Sequence, residues 1–168
     1  IWLLYGSRPI RRFWLEGFKE VYQPFRNADT FWKENQWNDF LVDERGHLWL
    51  VGWMPKSYGV CRFNPTENAF DDLSKDGFKN AKSVFVGDFF NRVAQGQNGN
   101  ILLSAYGGFN VSDASGKIIR SITMLEYPIA DSYIAGISED IHGNLFFGTG
   151  EGLHILRKDS DKVVRLDQ

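Results

Sequence analysis

Apolar residues fall in short runs separated by turn residues, and one ten-residue pattern of polar and apolar positions recurs. In Asp43-Glu-Arg-Gly-His-Leu-Trp-Leu-Val-Gly52 a turn signature leads into a strand with almost no polar position. The pattern returns as Gly96-Gln-Asn-Gly-Asn-Ile-Leu-Leu-Ser-Ala105 and as Asp140-Ile-His-Gly-Asn-Leu-Phe-Phe-Gly-Thr149, while Ile1-Trp-Leu-Leu-Tyr-Gly6 matches its second half. The turn glycines Gly46, Gly99 and Gly143 are 53 and 44 residues apart (99 − 46 and 143 − 99), and matching Trp2 to Trp49 gives 47. Intervals of this size suit a four-stranded propeller blade; a helical solenoid would show a 3.6-residue period instead. No window holds an amphipathic helix longer than two turns, and the best helical candidate, Asn80–Val84, is short.

The pattern predicts four strands per unit. They are Asn38–Asp43, His47–Trp53, Gly59–Phe63 and Ala69–Leu73 in the second unit. The third has Arg92–Gln95, Asn100–Tyr106, Gly108–Ser112 and Lys117–Thr123, and the fourth Ile134–Glu139, Asn144–Thr149, Gly152–Arg157 and Lys162–Leu166. The first keeps only Ile1–Tyr5, Ile10–Leu15 and Phe18–Tyr22. The second strands are apolar on both faces, so each must be covered from both sides. The charged fourth strands read as outer edges. Asp43, Gly46, Gly99, Asp140 and Gly143 are structural turn residues: Asp first and Gly fourth in a turn serve side-chain capping and left-handed backbone. Asp113 with Gly116, Asn64-Pro-Thr-Glu-Asn68 and Asp159–Lys162 are expected to close third-to-fourth strand turns in the same way. The expected fold is all-β: a β-propeller segment of about three and a half antiparallel blades, roughly 1–23 (partial), 38–74, 91–123 and 134–168. A closed ring takes roughly 4–8 blades, so the segment is expected to belong to a larger propeller.

Composition narrows the function classes. A net charge of −2 over 168 residues, with both signs interspersed, gives no footprint for nucleic acid or an anionic membrane. No apolar run approaches the roughly 20 residues of a transmembrane helix. The lone Cys61 excludes an internal disulfide framework and a cysteine zinc site. Aromatic residues make up 15%, including 14 Phe and 6 Trp, which with 17 Gly favours sheet.

The turn and second strand resemble the two-component regulator propeller repeat. Gly136-Ile-Ser-Glu-Asp-Ile-His-Gly-Asn-Leu-Phe-Phe-Gly-Thr-Gly-Glu-Gly-Leu153 matches it at Asp140, Gly143, Asn144, Gly148, Thr149, Gly152 and Leu153, with Phe146 where Trp is usual. The second unit keeps Asp43, Gly46, Leu48, Trp49 and Gly52 but inserts Trp53–Tyr58, and the third has Gly96 for the Asp and Ser104-Ala105 for Gly-Thr. The resemblance implies the periplasmic sensor region of a bacterial hybrid two-component or sensor histidine kinase. It also implies oligosaccharide sensing and a homodimer formed through the parent receptor, with the remaining blades in the same parent chain. No cofactor is expected.

In such a meander the first-to-second and third-to-fourth turns share one face of the disc. The opposite face carries long connectors rich in aromatics: Gln23–Trp37, Trp53–Tyr58, Lys75–Asn91 and Met124–Tyr133. Loops on a rigid scaffold are where binding concentrates. Flat aromatic faces beside polar groups suit the C–H surface and hydroxyls of a sugar, so Trp37, Trp53, Tyr58, Phe90, Tyr106 and Tyr133 are the candidate ligand residues. The competing reading is that such aromatics pack connectors onto the blades. His47, His142 and His154 lack metal-ligand spacing, and no metal site is expected. Asp43 and Asp140 are explained by their turns, and Gly148-Thr-Gly-Glu-Gly152 lacks the helix and Lys of a phosphate loop. No catalytic residue is assigned. A protein-interaction propeller and a propeller-fold carbohydrate-active enzyme are the alternatives to a ligand sensor.

Overall fold

The computed structural model describes residues 2–5, 8–12, 36–53, 59–73, 89–127, 129, 133–160 and 162–166. The described residues form fourteen strands. β1 (Trp2–Tyr5) and β2 (Arg8–Arg12) make a two-stranded antiparallel sheet. Three four-stranded meanders follow: β3 (Gln36–Val42) to β6 (Ala69–Asp72), β7 (Phe90–Gln95) to β10 (Ile118–Thr123), and β11 (Ile134–Glu139) to β14 (Val163–Leu166). The fold is all-β and built of propeller blades. Strands of the three full blades begin and end within two residues of the sequence expectation. In the partial blade the described part of β2, Arg8–Arg12, starts two residues before the expected Ile10 and pairs with β1 through Trp2↔Arg12 and Tyr5↔Arg8; residues 13–15 of that expectation lie outside the described residues. The candidates at Phe18–Tyr22 and Asn80–Val84 lie outside the described residues.

Two apolar interfaces hold the blades face to face. Between the second and third, Trp49, Val51 and Val60 pack against Phe90, Ile101, Leu103 and Ala105, all fully buried. Between the third and fourth, Leu102, Phe109 and Ile122 meet Ile134, Leu145 and Phe147; Phe109 and Phe147 lie 5.1 Å apart between ring centroids. Alternate residues of β8 (Ile101–Ala105) thus serve opposite interfaces, Leu103 one and Leu102 the other, and none of its five residues is exposed. Each such large side chain removed from water contributes on the order of 1.5–3 kcal/mol. β12 (Leu145–Thr149) departs from the expectation of two-sided burial: Leu145 and Phe147 are buried, but Phe146 on the other face is only half-buried.

All three first strands carry a bulge at one repeat position, Asn38, Asn91 and Ala135. A bulge sharpens the local twist and re-aims side chains. Here it also stitches blades, because the Asn38 amide donates to the Phe90 carbonyl (2.7 Å) and the Asn91 amide to that of Ile134 (3.4 Å).

The first turn of each blade needs a carboxylate and obtains it in three ways. Asp43 Oδ1 accepts the backbone N–H of Arg45 and His47, and Oδ2 accepts the Trp49 indole N–H at 2.9 Å. Burial pushes this carboxyl up, but those donors and the His47 ring outweigh it and hold Asp43 below the ordinary carboxylate value. The turn therefore keeps its full contribution above that value and loses it only as pH falls through the depressed one. In the fourth blade Phe146 cannot donate, and the Asn144 amide takes the indole's place on Asp140 Oδ2 (2.8 Å), drawing that carboxyl down. Gly46 (φ +80°) and Gly143 (φ +84°) supply the left-handed backbone. Asp113, in the third-to-fourth turn of its blade, accepts Ser115 and Lys117 N–H in the same manner. Asn64 Oδ1 caps the corresponding turn of the second blade. In the last turn, expected over Asp159–Lys162, Ser160 Oγ accepts Lys162 N–H.

The third blade has no Asp here. Glu139, from the neighbouring blade, accepts the Gln97 N–H at 2.7 Å. A Cβ at Gly96 would run into that same carboxylate, although Gly96 has an ordinary φ of −93°. Gly96 is thus set by space, not by backbone conformation. Gly96→Ala should displace Glu139 and cost about 1 kcal/mol in urea unfolding, the size of a typical net hydrogen bond. In a Glu139→Ala background the same change should cost markedly less, and equal costs in both backgrounds would exclude the coupling.

Candidate functional site

The second-to-third connections and the entries to the first strands share one face of the disc. There a ribbon of backbone pairing runs from blade to blade. Gln36 pairs with Trp53 in the second blade, Trp53 bridges to Phe89, Tyr106 N–H donates to the Phe89 carbonyl (3.1 Å), and Tyr106 bridges to Tyr133. Trp53 and Tyr106 hold the same repeat position, the last residue of the second strand in one blade and the residue after it in the next. Phe89 and Tyr133 each precede the first strand of the next blade.

The side chains follow this ribbon. Phe89 and Tyr106 meet edge to face with centroids 6.0 Å apart, and Tyr106 and Tyr133 likewise at 5.9 Å. Tyr106 is 50% exposed, Trp53 40% and Tyr133 38%, and Phe89 is half-buried. T-shaped contacts of this spacing are favourable, by about 0.5–1.5 kcal/mol each, and hold the rings in fixed relative orientation. Exposed Gln36, Asn38 and Arg92 provide polar groups on the adjoining first strands, and Arg92 Nη1 donates to the Asn91 carbonyl at 2.9 Å. In the fourth blade the position equivalent to Trp53 and Tyr106 is Gly150, so the aromatic row stops at Tyr133.

The structure brings Trp53, Tyr106 and Tyr133 to one surface and places two other candidates elsewhere. Trp37 is 7% exposed and Phe90 is fully buried. Both are corrected to core residues. They occupy one repeat position with Ile134, immediately before the bulge, where the side chain turns into the blade interface. Tyr58 lies outside the described residues, as do 54–57 and most of the connectors 23–35 and 74–88. Phe89 is a member of the surface row that the sequence reading passed over. Only the bulges, visible in the strand registers, put Gln36, Phe89 and Tyr133 at one position, two before each bulge.

The histidines stand away from this row. His47 and His142 belong to turns at the opposite face, His47 Nδ1 lying 3.3 Å from Asp43 Oδ2. His154 is 3% exposed and stacks on Phe147, with planes 7° apart and centroids at 5.3 Å. Among the described residues no group of three or more His, Cys, Asp or Glu is placed to hold a metal ion, and no helix is long and apolar enough to cross a membrane.

Comparison with known proteins bears on the fold. No protein-family model matches the chain, and no curated protein does. Among solved structures it is similar to the extracellular domain of BT4673, a proposed hybrid two-component system from B. thetaiotaomicron. The TM-score is 0.67 at 16% identity, covering 96% of this chain and 23% of that one. The extracellular domain of BT3049, a proposed system of the same kind from the same organism, gives 0.64 at 16% identity over 99% of this chain and 21% of that one. Virginiamycin B lyase from Staphylococcus aureus gives 0.54 at 16% identity, covering 79% and 41%. The chain spans about a fifth of the length of the two extracellular domains. At these identities the likeness establishes the propeller fold.

The difference between row and core is measurable. Trp53→Ala should shift the unfolding free energy by about 1 kcal/mol or less and Tyr106→Ala, which loses two ring contacts, by about 1–3 kcal/mol, against about 3–5 kcal/mol for Phe90→Ala. Equal losses would place Tyr106 and Trp53 in the core.

Proposed function

We propose that this chain is a non-catalytic ligand-sensing propeller segment from the extracytoplasmic, periplasmic part of a two-component signalling receptor, with an oligosaccharide as its ligand class. The observation that carries the proposal is the row Trp53, Phe89, Tyr106 and Tyr133. Its aromatic rings are held by backbone pairing between rigid blades, are partly open to solvent, and are flanked by Gln36, Asn38 and Arg92. Such rings offer apolar faces to the C–H surface of a sugar, and amide and guanidinium groups beside them suit its hydroxyls. The extracytoplasmic assignment is supported by the likeness to two extracellular domains of proposed hybrid two-component systems.

Because the row crosses the second, third and fourth blades, an extended ligand would touch several blades at once. It would thereby favour one arrangement of the receptor over another, which is a population shift. Dimerisation through the parent receptor, and the remaining blades in the same parent chain, belong to this proposal.

An enzymatic reading draws on the likeness to virginiamycin B lyase. It requires a general acid or base at the aromatic row, where the titratable groups are the phenols of Tyr106 and Tyr133; the chain's histidines lie in opposite-face turns or between blades. A protein-interaction reading would use the same row as a hot spot.

Calorimetry with a panel of oligosaccharides tests the proposal. A glycan should bind, Tyr106→Ala should weaken it about tenfold or more, and Glu44→Ala in the opposite-face turn should leave it unchanged. Absence of heat across chemically diverse glycans, or indifference to Tyr106→Ala, would contradict it. Turnover of a bound glycan would favour the enzyme.

A further inference from the structure

The bulge that turns Phe90 inward also sets a cation beside the aromatic row. Asn91 is the extra residue of that bulge, and Arg92, immediately after it, rejoins the ladder opposite Ser104. Arg92 is exposed on β7, which lies between β3 and β11. Cross-strand partners lie on the same side of a sheet, and so do residues two apart on one strand. Arg92, Ser104 and Tyr106 therefore share one side of the third blade. Diagonal neighbours in this relation stand about 7–8 Å apart, within reach of a long side chain. Ser104 Oγ donates to the Ile134 carbonyl, so this side faces the fourth blade, where Tyr133 immediately precedes Ile134.

The guanidinium is held in place but not neutralised. Its Nη1 donates to the Asn91 carbonyl at 2.9 Å, which orients the planar group without balancing its charge. Among the described residues no carboxylate pairs with Arg92. The start of β11, towards which this side faces, offers Ile134, Ala135 and Gly136, none of them charged. The equivalent residues of the other blades are committed or absent. Asp39, first after its own bulge, is half-buried, and its Oδ2 accepts the Val93 N–H at 3.1 Å, a bond that joins the second blade to the third. Gly136, first after the bulge of the fourth blade, has no side chain. Arg92 makes no such inter-blade bond among the described residues, so the packing of blades does not account for a cation here.

We propose that the row takes an anionic oligosaccharide, with Arg92 binding a carboxylate or sulfate of the sugar while a ring of the same ligand lies on Tyr106. The inference rests on the oligosaccharide reading of the row and adds the charge of the ligand. A guanidinium fork matches the two oxygens of such a group with parallel N–H···O bonds, a fit that an ammonium cannot reproduce. With Nη1 tied to the Asn91 carbonyl, the Nη2 side of the fork is the one left for the ligand. A neutral sugar would meet the rings equally well but leave this charge to water. The chain's net charge of −2 gives no general attraction for anions, so the preference resides in this one contact.

The test is calorimetry on this chain with oligosaccharides of polygalacturonate, alginate and chondroitin sulfate, each beside its carboxyl-reduced or desulfated form, and with neutral oligosaccharides of cellulose and xylan. An acidic glycan should bind about tenfold or more tightly than its neutral counterpart. Loss of the preference on carboxyl reduction identifies a uronate as the anion, and loss on desulfation a sulfate ester. Arg92→Gln should bring the acidic glycan down to the affinity of its neutral counterpart and leave the neutral one unchanged. Arg92→Lys, which keeps the charge without the fork, should retain part of the preference and lose it at high salt. Equal binding of acidic and neutral forms, or an Arg92→Gln variant that weakens both alike, would overturn the anionic ligand and leave the oligosaccharide reading standing. Failure of every glycan, acidic and neutral, would remove both.

Discussion

Two-sided burial of the second strands is the constraint on which the structure depends. β4 (Leu48–Trp53) and β8 have apolar side chains on both faces, and a strand of this kind has no stable place at a solvated surface. A blade with such a second strand must therefore be covered on both sides, which makes the repeat a stack and not a chain of independent hairpins. The hydrogen bonds that cross between blades follow from this arrangement. Once the faces are pressed together, buried carbonyls at Phe90 and Ile134 need donors, and the bulge amides of Asn38 and Asn91 are within reach.

The first turns show how one physical requirement survives changes of sequence. Orphan N–H groups of the turn need an acceptor, and a carboxylate suits them best. Asp43 supplies it with the Trp49 indole as its outer partner, Asp140 supplies it with the Asn144 amide, and Glu139 reaches across from the next blade where Gly96 has replaced the acid. The replacement at Gly96 looks like a loss in the sequence alone, yet in space the carboxylate is present. It also becomes an inter-blade contact, so the third blade's turn depends on the fourth blade's first strand.

The repeat, the blade strands and the turn residues were legible because they rest on local rules, namely period-two patterning and the chemistry of Asp, Asn and Gly in turns. The side on which an aromatic lies was not legible by counting aromatics. Trp37 and Phe90 face the core while Phe89 and Tyr133 face outward, and the difference is a bulge that shifts side-chain direction by one residue. The bulge leaves no residue-type signature of its own, with Asn in two blades and Ala in the third. The half-open state of Phe146 was also hidden, because an apolar strand reads the same whether its second face is covered or awaits cover.

Turn caps, core and aromatic row are thereby separated in space. The turn face carries the carboxylate caps, the blade interfaces carry the core, and the aromatic row occupies the remaining face, where substitution costs the fold less than in the core. Native-state hydrogen exchange tests the dependence on two-sided burial most directly. The account predicts that amides of β8, covered on both faces, exchange only through global unfolding, and that those of β12, with one face open, exchange through a smaller opening of lower free energy. Protection of β12 equal to or greater than that of β8 would contradict it.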